Sequence, residues 1–242
     1  MTHSIHTNPT AEDTARAVAE LIFKAAKANS KLSKPLNVAL SGGSTPKLLF
    51  TILATEYKEL MPWSILRLFW VDERCVPPTH IESNFGMTYN SLLKEVTIPE
   101  NNIFRMQGES DAFIEANRYQ DVLQLELPIS NGFPQFDIIL LGMGDDGHTA
   151  SIFPNDMSLL SSTKAVAVGI QPQSGQQRIT LTGPTICQAK QLIFLVTGEN
   201  KAQLLSQIFS KEPIAENYPA AHVFSVQGVA EFYLDQAASL AK

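Results

Sequence analysis

Residues 137–141 read Asp-Ile-Ile-Leu-Leu, and the next seven read Gly-Met-Gly-Asp-Asp-Gly-His. Four consecutive branched apolar residues leave no polar face for water, so this strand must be covered on both sides, as in a parallel sheet. Similar transitions from an apolar run to a polar loop occur twice earlier. Asn37–Leu40 is followed by Ser41-Gly42-Gly43-Ser44-Thr45-Pro46, and Leu66–Val71 by Asp72-Glu73-Arg74. Ala165–Ile170, Arg178–Leu181, Leu192–Val196 and Val223–Val226 read as further strands. Helical patterns separate them at residues 10–28, 47–55, 84–94, 111–126 and 200–210, with a last helix expected at the C-terminal end. In the first helix Thr10 and Asp13 resemble a capping box, and Val18, Leu21, Ile22 and Ala25 form the predicted buried stripe. The alternation predicts an α/β fold with a mostly parallel sheet, in one domain over residues 1–242.

Composition narrows the function. Lys plus Arg is 18 and Asp plus Glu is 24, a net charge of −6. Without basic runs, such a chain is a poor nucleic-acid binder, and an anionic ligand must be held by a local positive cluster. Cys75 and Cys187 are the only cysteines and offer no metal spacing; neither do His3, His6, His80 and His222. No metal and no cofactor are expected. The opening MTHSIHTNPT has neither the basic nor the apolar region of a secretory signal. No apolar run approaches the roughly 20 residues of a membrane helix. The expectation is a cytoplasmic protein with no membrane or nucleic-acid partner; the oligomeric state is left open and is compatible with a monomer.

Ligands of open α/β sheets bind beyond the carboxyl ends of the strands, so the chemistry belongs in the loops after Leu40, Val71 and Leu141. In the first, Gly42 and Gly43 let the backbone approach a ligand, Ser44 or Thr45 is the expected helix cap, and Pro46 suits the first helical position. Free N–H groups at that helix start make a phosphate cradle with Lys47 nearby, although an ordinary capped turn has the same residues. In the second loop, Asp72 and Glu73 beside Arg74 fit either an acid/base pair with an anion hook or a surface ion pair. The third loop, Gly142–Pro154, begins as a Gly-x-Gly-x-x-Gly dinucleotide motif, and three features reject that reading. Asp145 and Asp146 would repel a pyrophosphate, Pro154 stops a helix after about two turns, and residues 161–168 supply no acid for a ribose. The loop instead suits proton transfer, with His148 as base and Asp146 orienting it; a packing histidine is the alternative. Arg178 opens a strand after a polar loop. Lys201 sits at a helix start, where a cation is unfavourable unless an anion is near.

The order SGGSTP, WVDER, SNFGM, GMGDDGHTASIFP, RITLT and VTGENK resembles the 6-phosphogluconolactonase family from about residue 36 to about residue 235. The resemblance implies a Rossmann-like single domain, shared with glucosamine-6-phosphate deaminases. It also implies hydrolysis of 6-phospho-D-glucono-1,5-lactone, a pentose phosphate pathway reaction, without a required cofactor. By the same resemblance His148 is the general base and Asp146 its partner. Gly43, Ser44 and Thr45 belong to the phosphate loop, Arg74, Arg178 and Lys201 are basic groups around the phosphate, and Asp72 is an acid common to both branches. The deaminase branch carries a carboxylate before the proline of Gly-His-Ile-Ala-Phe-Asn-Glu-Pro, where this chain has Phe153. That residue argues against an aminosugar deaminase. The intact Asp146–His148 pair argues against a catalytically silent sugar-phosphate sensor.

Overall fold

The computed structural model describes residues 1–239. The chain runs β1 (Thr2–Asn8), α1 (Ala11–Lys31), β2 (Leu36–Leu40), α2 (Ser44–Glu56), β3 (Leu66–Trp70), β4 (Asp72–Arg74), α3 (Asn84–Thr88), β5 (Ile103–Phe104) and α4 (Ala112–Glu126). It continues through a two-stranded ribbon of β6 (Ile129–Ser130) and β7 (Phe133–Pro134), then β8 (Ile138–Leu141), β9 (Val166–Ile170), β10 (Gln177–Leu181), α5 (Gly183–Cys187), β11 (Gln191–Val196), α6 (Ala202–Phe209), β12 (Val229–Asp235) and α7 (Gln236–Ser239).

The central sheet has seven strands in the order β1-β12-β11-β8-β2-β3-β5, and every neighbouring pair is parallel. The fold is therefore the α/β class expected, with helices flanking a parallel sheet. Its middle strands are apolar because both faces are covered: every residue of β2 and β8 is buried. Register also stacks the core aromatics. Phe69 lies beside Phe104 and Phe194 beside Phe232, each pair with ring centroids 4.5 Å apart.

Beyond its first half the sheet reverses direction. From β2 the chain steps outward to β3 and β5, and from β8 it steps the other way to β11 and β12. The crevice between the carboxyl ends of β2 and β8 is thus a topological switch point, where such folds bind ligands. Ser41 Oγ donates to Leu140 O across it at 2.8 Å. A second, antiparallel sheet of β4, β10 and β9 stands over this edge. Val71 is the joint: its N–H donates to Leu40 O of the large sheet, and its carbonyl accepts from Leu181 N of the small one.

Local structure follows the sequence signals with four corrections. Thr10 caps α1 as read, accepting from Asp13 N at 3.1 Å, but the buried stripe is Ala15, Val18, Ala19, Ile22 and Ala26. Leu21 and Ala25 flank it, because the helix lies with its small residues against the sheet. Helix α2 starts earlier than expected: its cap is Gly43, not Ser44 or Thr45, and no side chain caps it. The helix read over 84–94 is α3 followed by one π turn at Tyr89–Leu93. The strand expected at Val223–Val226 is instead an irregular segment, with Val223, Phe224 and Ser225 buried. The strand is β12, six residues later, reached through a turn at Gly228. Burial made residues 223–226 apolar, yet their backbone bonds go to turns and loops and not to a ladder. Strand β1 carries no sequence signal at all, since Thr2–Asn8 is an edge strand of mostly polar residues. The expected C-terminal helix is present at Gln236–Ser239, and its remainder lies outside the described residues.

Tyr119 of α4 ties this helix to the end of β3. Its buried hydroxyl accepts from Trp70 N at 3.0 Å and donates to Phe104 O at 3.1 Å. Tyr119→Phe leaves the Trp70 N–H without a partner and should cost about 1–3 kcal/mol. Urea unfolding should show this as a lower midpoint with an unchanged slope.

Candidate active site

A cavity of about 350 Å³ opens at the switch point. Its wall includes Gly43, Ser44 and Thr45 from the start of α2, Asp72 and Arg74 from β4, His148, Arg178 from β10, and Lys201. Asp146 reaches the cavity through His148. All nine residues singled out from the sequence are therefore brought together.

The His148 loop is shaped by its glycines. Gly144 N donates to His148 O and Gly147 N to Gly144 O, closing a tight turn. Gly147 has φ +80°, a left-handed conformation suited to glycine. Gly144 serves a different need: a Cβ there would lie 2.1 Å from His148 Nδ1 and 2.8 Å from Asp146 Oδ1. So the glycines that imitate a dinucleotide motif make room for a carboxylate–imidazole pair. Asp146 Oδ1 meets His148 Nδ1 at 2.6 Å and also accepts from His148 N at 3.0 Å. Burial opposes ionisation of Asp146, but these hydrogen bonds outweigh it and hold its carboxyl below the usual range. An ionised Asp146 only accepts, so the Nδ1 proton is fixed and Nε2 is the ring's acceptor. Phe153 backs this arrangement, with its buried ring 4.8 Å from that of His148 and 5.6 Å from the Arg178 guanidinium.

Positive charge gathers opposite. Arg74 and Arg178 are register partners on β4 and β10. Like charges placed directly across a ladder repel. Each arginine also has a buried Nε–H with no partner. Arg74 Nη1 donates to Glu82 O at 2.5 Å. Burial, reinforced by the neighbouring Arg74 charge and opposed by Asp72, pushes the Arg178 guanidinium down from its usual range. It stays charged, because an arginine starts so high. The uncapped α2 terminus adds its free N–H groups to the same wall. Lys201 Nζ is paired with Asp145, whose carboxyl it holds below the usual range, and Asn200 Nδ2 also donates to Asp145 at 2.8 Å. The two adjacent acids of the loop thus face opposite ways, Asp145 to Lys201 and Asp146 to His148.

Asp72 is buried, and both its carboxylate oxygens are occupied. Ser151 Oγ donates to Oδ2 at 2.6 Å and Asn84 Nδ2 to Oδ1 at 3.2 Å. Ser151 can reach back because Ala150 adopts φ +52°, and Thr180 Oγ1 accepts from Ser151 N. Sequence reading did not single out Asn84, Ser151 or Thr197, the last bonded hydroxyl to hydroxyl with Thr45 at 2.9 Å. Asn84 resembled a helix-start residue. Ser151 and Thr197 sit where only the carboxyl-edge rule points. Among the described residues no group of three or more His, Cys, Asp or Glu is gathered as for a metal ion, and no helix is long and apolar enough to cross a membrane.

Comparison with known proteins places the chain in a family. The family model of glucosamine-6-phosphate isomerases/6-phosphogluconolactonase matches residues 9–232. The chain is 45% identical to a 6-phosphogluconolactonase of Haemophilus influenzae, over 86% of this chain and 88% of that one. It is 43% identical to one of Aggregatibacter actinomycetemcomitans, over 93% and 96%. The solved structure of 6-phosphogluconolactonase from Trypanosoma brucei superposes with a TM-score of 0.85 at 31% identity, covering 98% of each chain. With a parallel sheet, a site at its switch point and relatives of this similarity, the chain belongs to the glucosamine-6-phosphate isomerase/6-phosphogluconolactonase family.

Proposed function

We propose that this chain is a 6-phosphogluconolactonase, an enzyme hydrolysing 6-phospho-D-glucono-1,5-lactone to 6-phospho-D-gluconate in the pentose phosphate pathway of the cytoplasm. The observation that carries the reading is that the Asp146–His148 pair and the Arg74–Arg178 pair open into one cavity. A phosphorylated lactone needs both: an anion site for its phosphate and a base for the water that opens its ring. Phe153 supports the lactonase branch, because it puts an apolar ring where an aminosugar deaminase carries a further carboxylate.

The chemistry follows from the fixed tautomer. His148 Nε2 takes a proton from water as the water oxygen attacks the lactone carbonyl carbon, giving a tetrahedral oxyanion. Asp146 stabilises the imidazolium that results. The oxyanion collapses, the bond from carbon to ring oxygen breaks, and the imidazolium returns its proton to that oxygen. The products are a carboxyl group and a free hydroxyl on one chain. No metal takes part in these steps. Arg74, Arg178, Lys201 and the N–H groups at Gly43–Thr45 hold the phosphate, which offsets the repulsion between the two arginines.

Removing a phosphate ligand should affect recognition more than chemistry. Arg74→Ala or Arg178→Ala is expected to lower kcat/KM for the phosphorylated lactone by roughly 10–100-fold, the loss of a charge-assisted hydrogen bond of about 1.5–3 kcal/mol. The unphosphorylated lactone should be hydrolysed as before. Equal losses on both substrates would remove the arginines from the phosphate site.

The base predicts a pH profile. Against the opposing effect of burial, hydrogen bonds from His148 hold the Asp146 carboxyl below the usual range, so it is ionised at neutral pH and keeps the imidazole in one tautomer. A general base acts only when unprotonated, so a plot of kcat/KM against pH should fall on the acid side. Asp146→Asn no longer offers the imidazole an anionic acceptor, so the plateau should drop. His148→Ala should lower kcat by roughly 10²–10⁴-fold, yet still bind 6-phosphogluconate. Each rate is corrected for spontaneous lactone opening at the same pH; wild-type rates in the His148 variant would place the base elsewhere.

Gly144→Ala tests the pair without touching either member. Its methyl group must displace the His148 ring or the Asp146 carboxylate. We expect kcat to fall at least about 10²-fold, the lower range for a misplaced general base, with the affinity for 6-phosphogluconate nearly unchanged in calorimetry.

A further inference from the structure

Gly42 presents a puzzle that its conformation does not solve. It lines the cavity beside Gly43, but unlike Gly43 it does not have a positive φ. It is therefore not held to glycine by a left-handed turn. What excludes a side chain is Asn84: a methyl group at position 42 would fall 1.7 Å from Asn84 Oδ1 and 2.4 Å from Cγ.

Asn84 cannot move aside. Its side chain is buried, and Nδ2 donates to both Asp72 O at 2.9 Å and Asp72 Oδ1 at 3.2 Å. Both of these partners accept only, so the amide has one orientation and Oδ1 must face Gly42. The Asn84 backbone is pinned as well. Its N–H donates to Glu73 Oε1 at 2.7 Å, Ser83 Oγ and Phe85 N donate to Glu73 Oε2, and the Asn84 carbonyl accepts from Thr88 Oγ1. Oδ1 itself is buried and has no hydrogen-bond partner. A buried orphan acceptor is unfavourable, so the fold retains it against a cost.

We propose that Asn84 is a positioning residue that clamps the Gly42–Thr45 segment against the start of β4, so that the phosphate cradle and Asp72 keep one spacing. The inference rests on the lactonase reading for its kinetic consequence and on geometry alone for the clamp. One arm of the amide holds Asp72, and the other is a stop against which the glycine loop rests. Only a residue without a side chain fits under that stop. Gly42 and Asn84 therefore form a matched pair, one from a loop and one from the start of α3, 42 positions apart in the sequence. The Asp146–His148 pair is hydrogen-bonded to neither, so loosening the clamp degrades substrate holding more than proton transfer.

A double-mutant cycle tests this. Gly42→Ala should weaken 6-phosphogluconate binding by at least about tenfold in calorimetry, and Asn84→Ala should raise KM several-fold with a smaller change in kcat. In the Asn84→Ala background, adding Gly42→Ala should cost less than about threefold, because the obstacle is gone. Penalties that multiply in full would overturn the proposal. Should Gly42→Ala not fold alone, recovery of a folded protein in the double variant supports the pairing, and a double variant that also fails to fold overturns it. Amide exchange of the peptide spanning residues 42–45 supplies a readout free of catalysis. It should speed up in Asn84→Ala even if the wild-type chain proved unable to hydrolyse the lactone, an outcome that would sink the proposed function and not the clamp. Unchanged exchange together with wild-type KM in Asn84→Ala would sink the clamp.

Discussion

The site depends on a bend of one residue. Val71 gives its N–H to the large parallel sheet and its carbonyl to the small antiparallel one, so the chain passes from β3 to β4 with both backbone groups of the joint paired. Buried peptide groups must be satisfied, and this bend satisfies them while turning Asp72 and Arg74 over the carboxyl edge. The all-parallel order does the rest. It ends β2, β8 and β11 along the same edge, so loops from distant parts of the chain meet above it. Neither sheet alone could face a carboxylate–imidazole pair with two arginines.

That second sheet also concentrates an electrostatic cost. Arg74 and Arg178 stand opposite each other, partly withdrawn from water, each with an Nε–H left unpaired. Asp72 opposes this charge from the same sheet, but its oxygens are already engaged by Ser151 and Asn84. No carboxylate lies within ion-pair distance of either guanidinium among the described residues. An arrangement of this kind lowers stability in the free protein, and under the proposed function a phosphate would return the difference. Strain of this sort is expected at binding sites, where preorganised donors need not be reoriented after the ligand arrives.

Much of this was legible in the sequence, for physical reasons that also explain the failures. Strands buried on both faces announce themselves, as Ile138–Leu141 does, because every side chain must be apolar. A strand at the sheet edge need not be, and Thr2–Asn8 went unread. Val223–Phe224 is apolar for burial alone, and hydropathy cannot tell a buried irregular segment from a ladder. In the site, His148, Asp146 and the basic residues stand out by chemical type within their loops. Asn84 and Ser151 do not, since what brings them to the site is their hydrogen bonds to Asp72, 12 and 79 positions away. The capping of α2 was misjudged for a related reason. Ser44 and Thr45 look like caps, but Gly43 takes that place, and Thr45 turns its hydroxyl to Thr197.

Glycine is the residue whose meaning changes most between sequence and structure. In Gly142-Met143-Gly144-Asp145-Asp146-Gly147 the spacing imitates a dinucleotide-binding turn, yet the glycines answer to different demands. Gly147 supplies a left-handed turn, whereas Gly144 supplies empty space for His148 and Asp146. Gly42 and Gly43 divide in the same way, the first giving space to Asn84 and the second a positive φ at the start of α2. Conformational glycines can be anticipated from turns and helix starts, because their requirement is local. Spatial glycines cannot, because the group that excludes a side chain comes from elsewhere in the fold. Two of them lie in this cavity, one beneath the imidazole and one beneath the amide that holds Asp72. A motif match based on glycine spacing alone therefore cannot separate a phosphate turn from a proton-transfer loop. The charge of the residues between the glycines can, because Asp145 and Asp146 would repel a pyrophosphate, and in the fold they turn instead to Lys201 and His148.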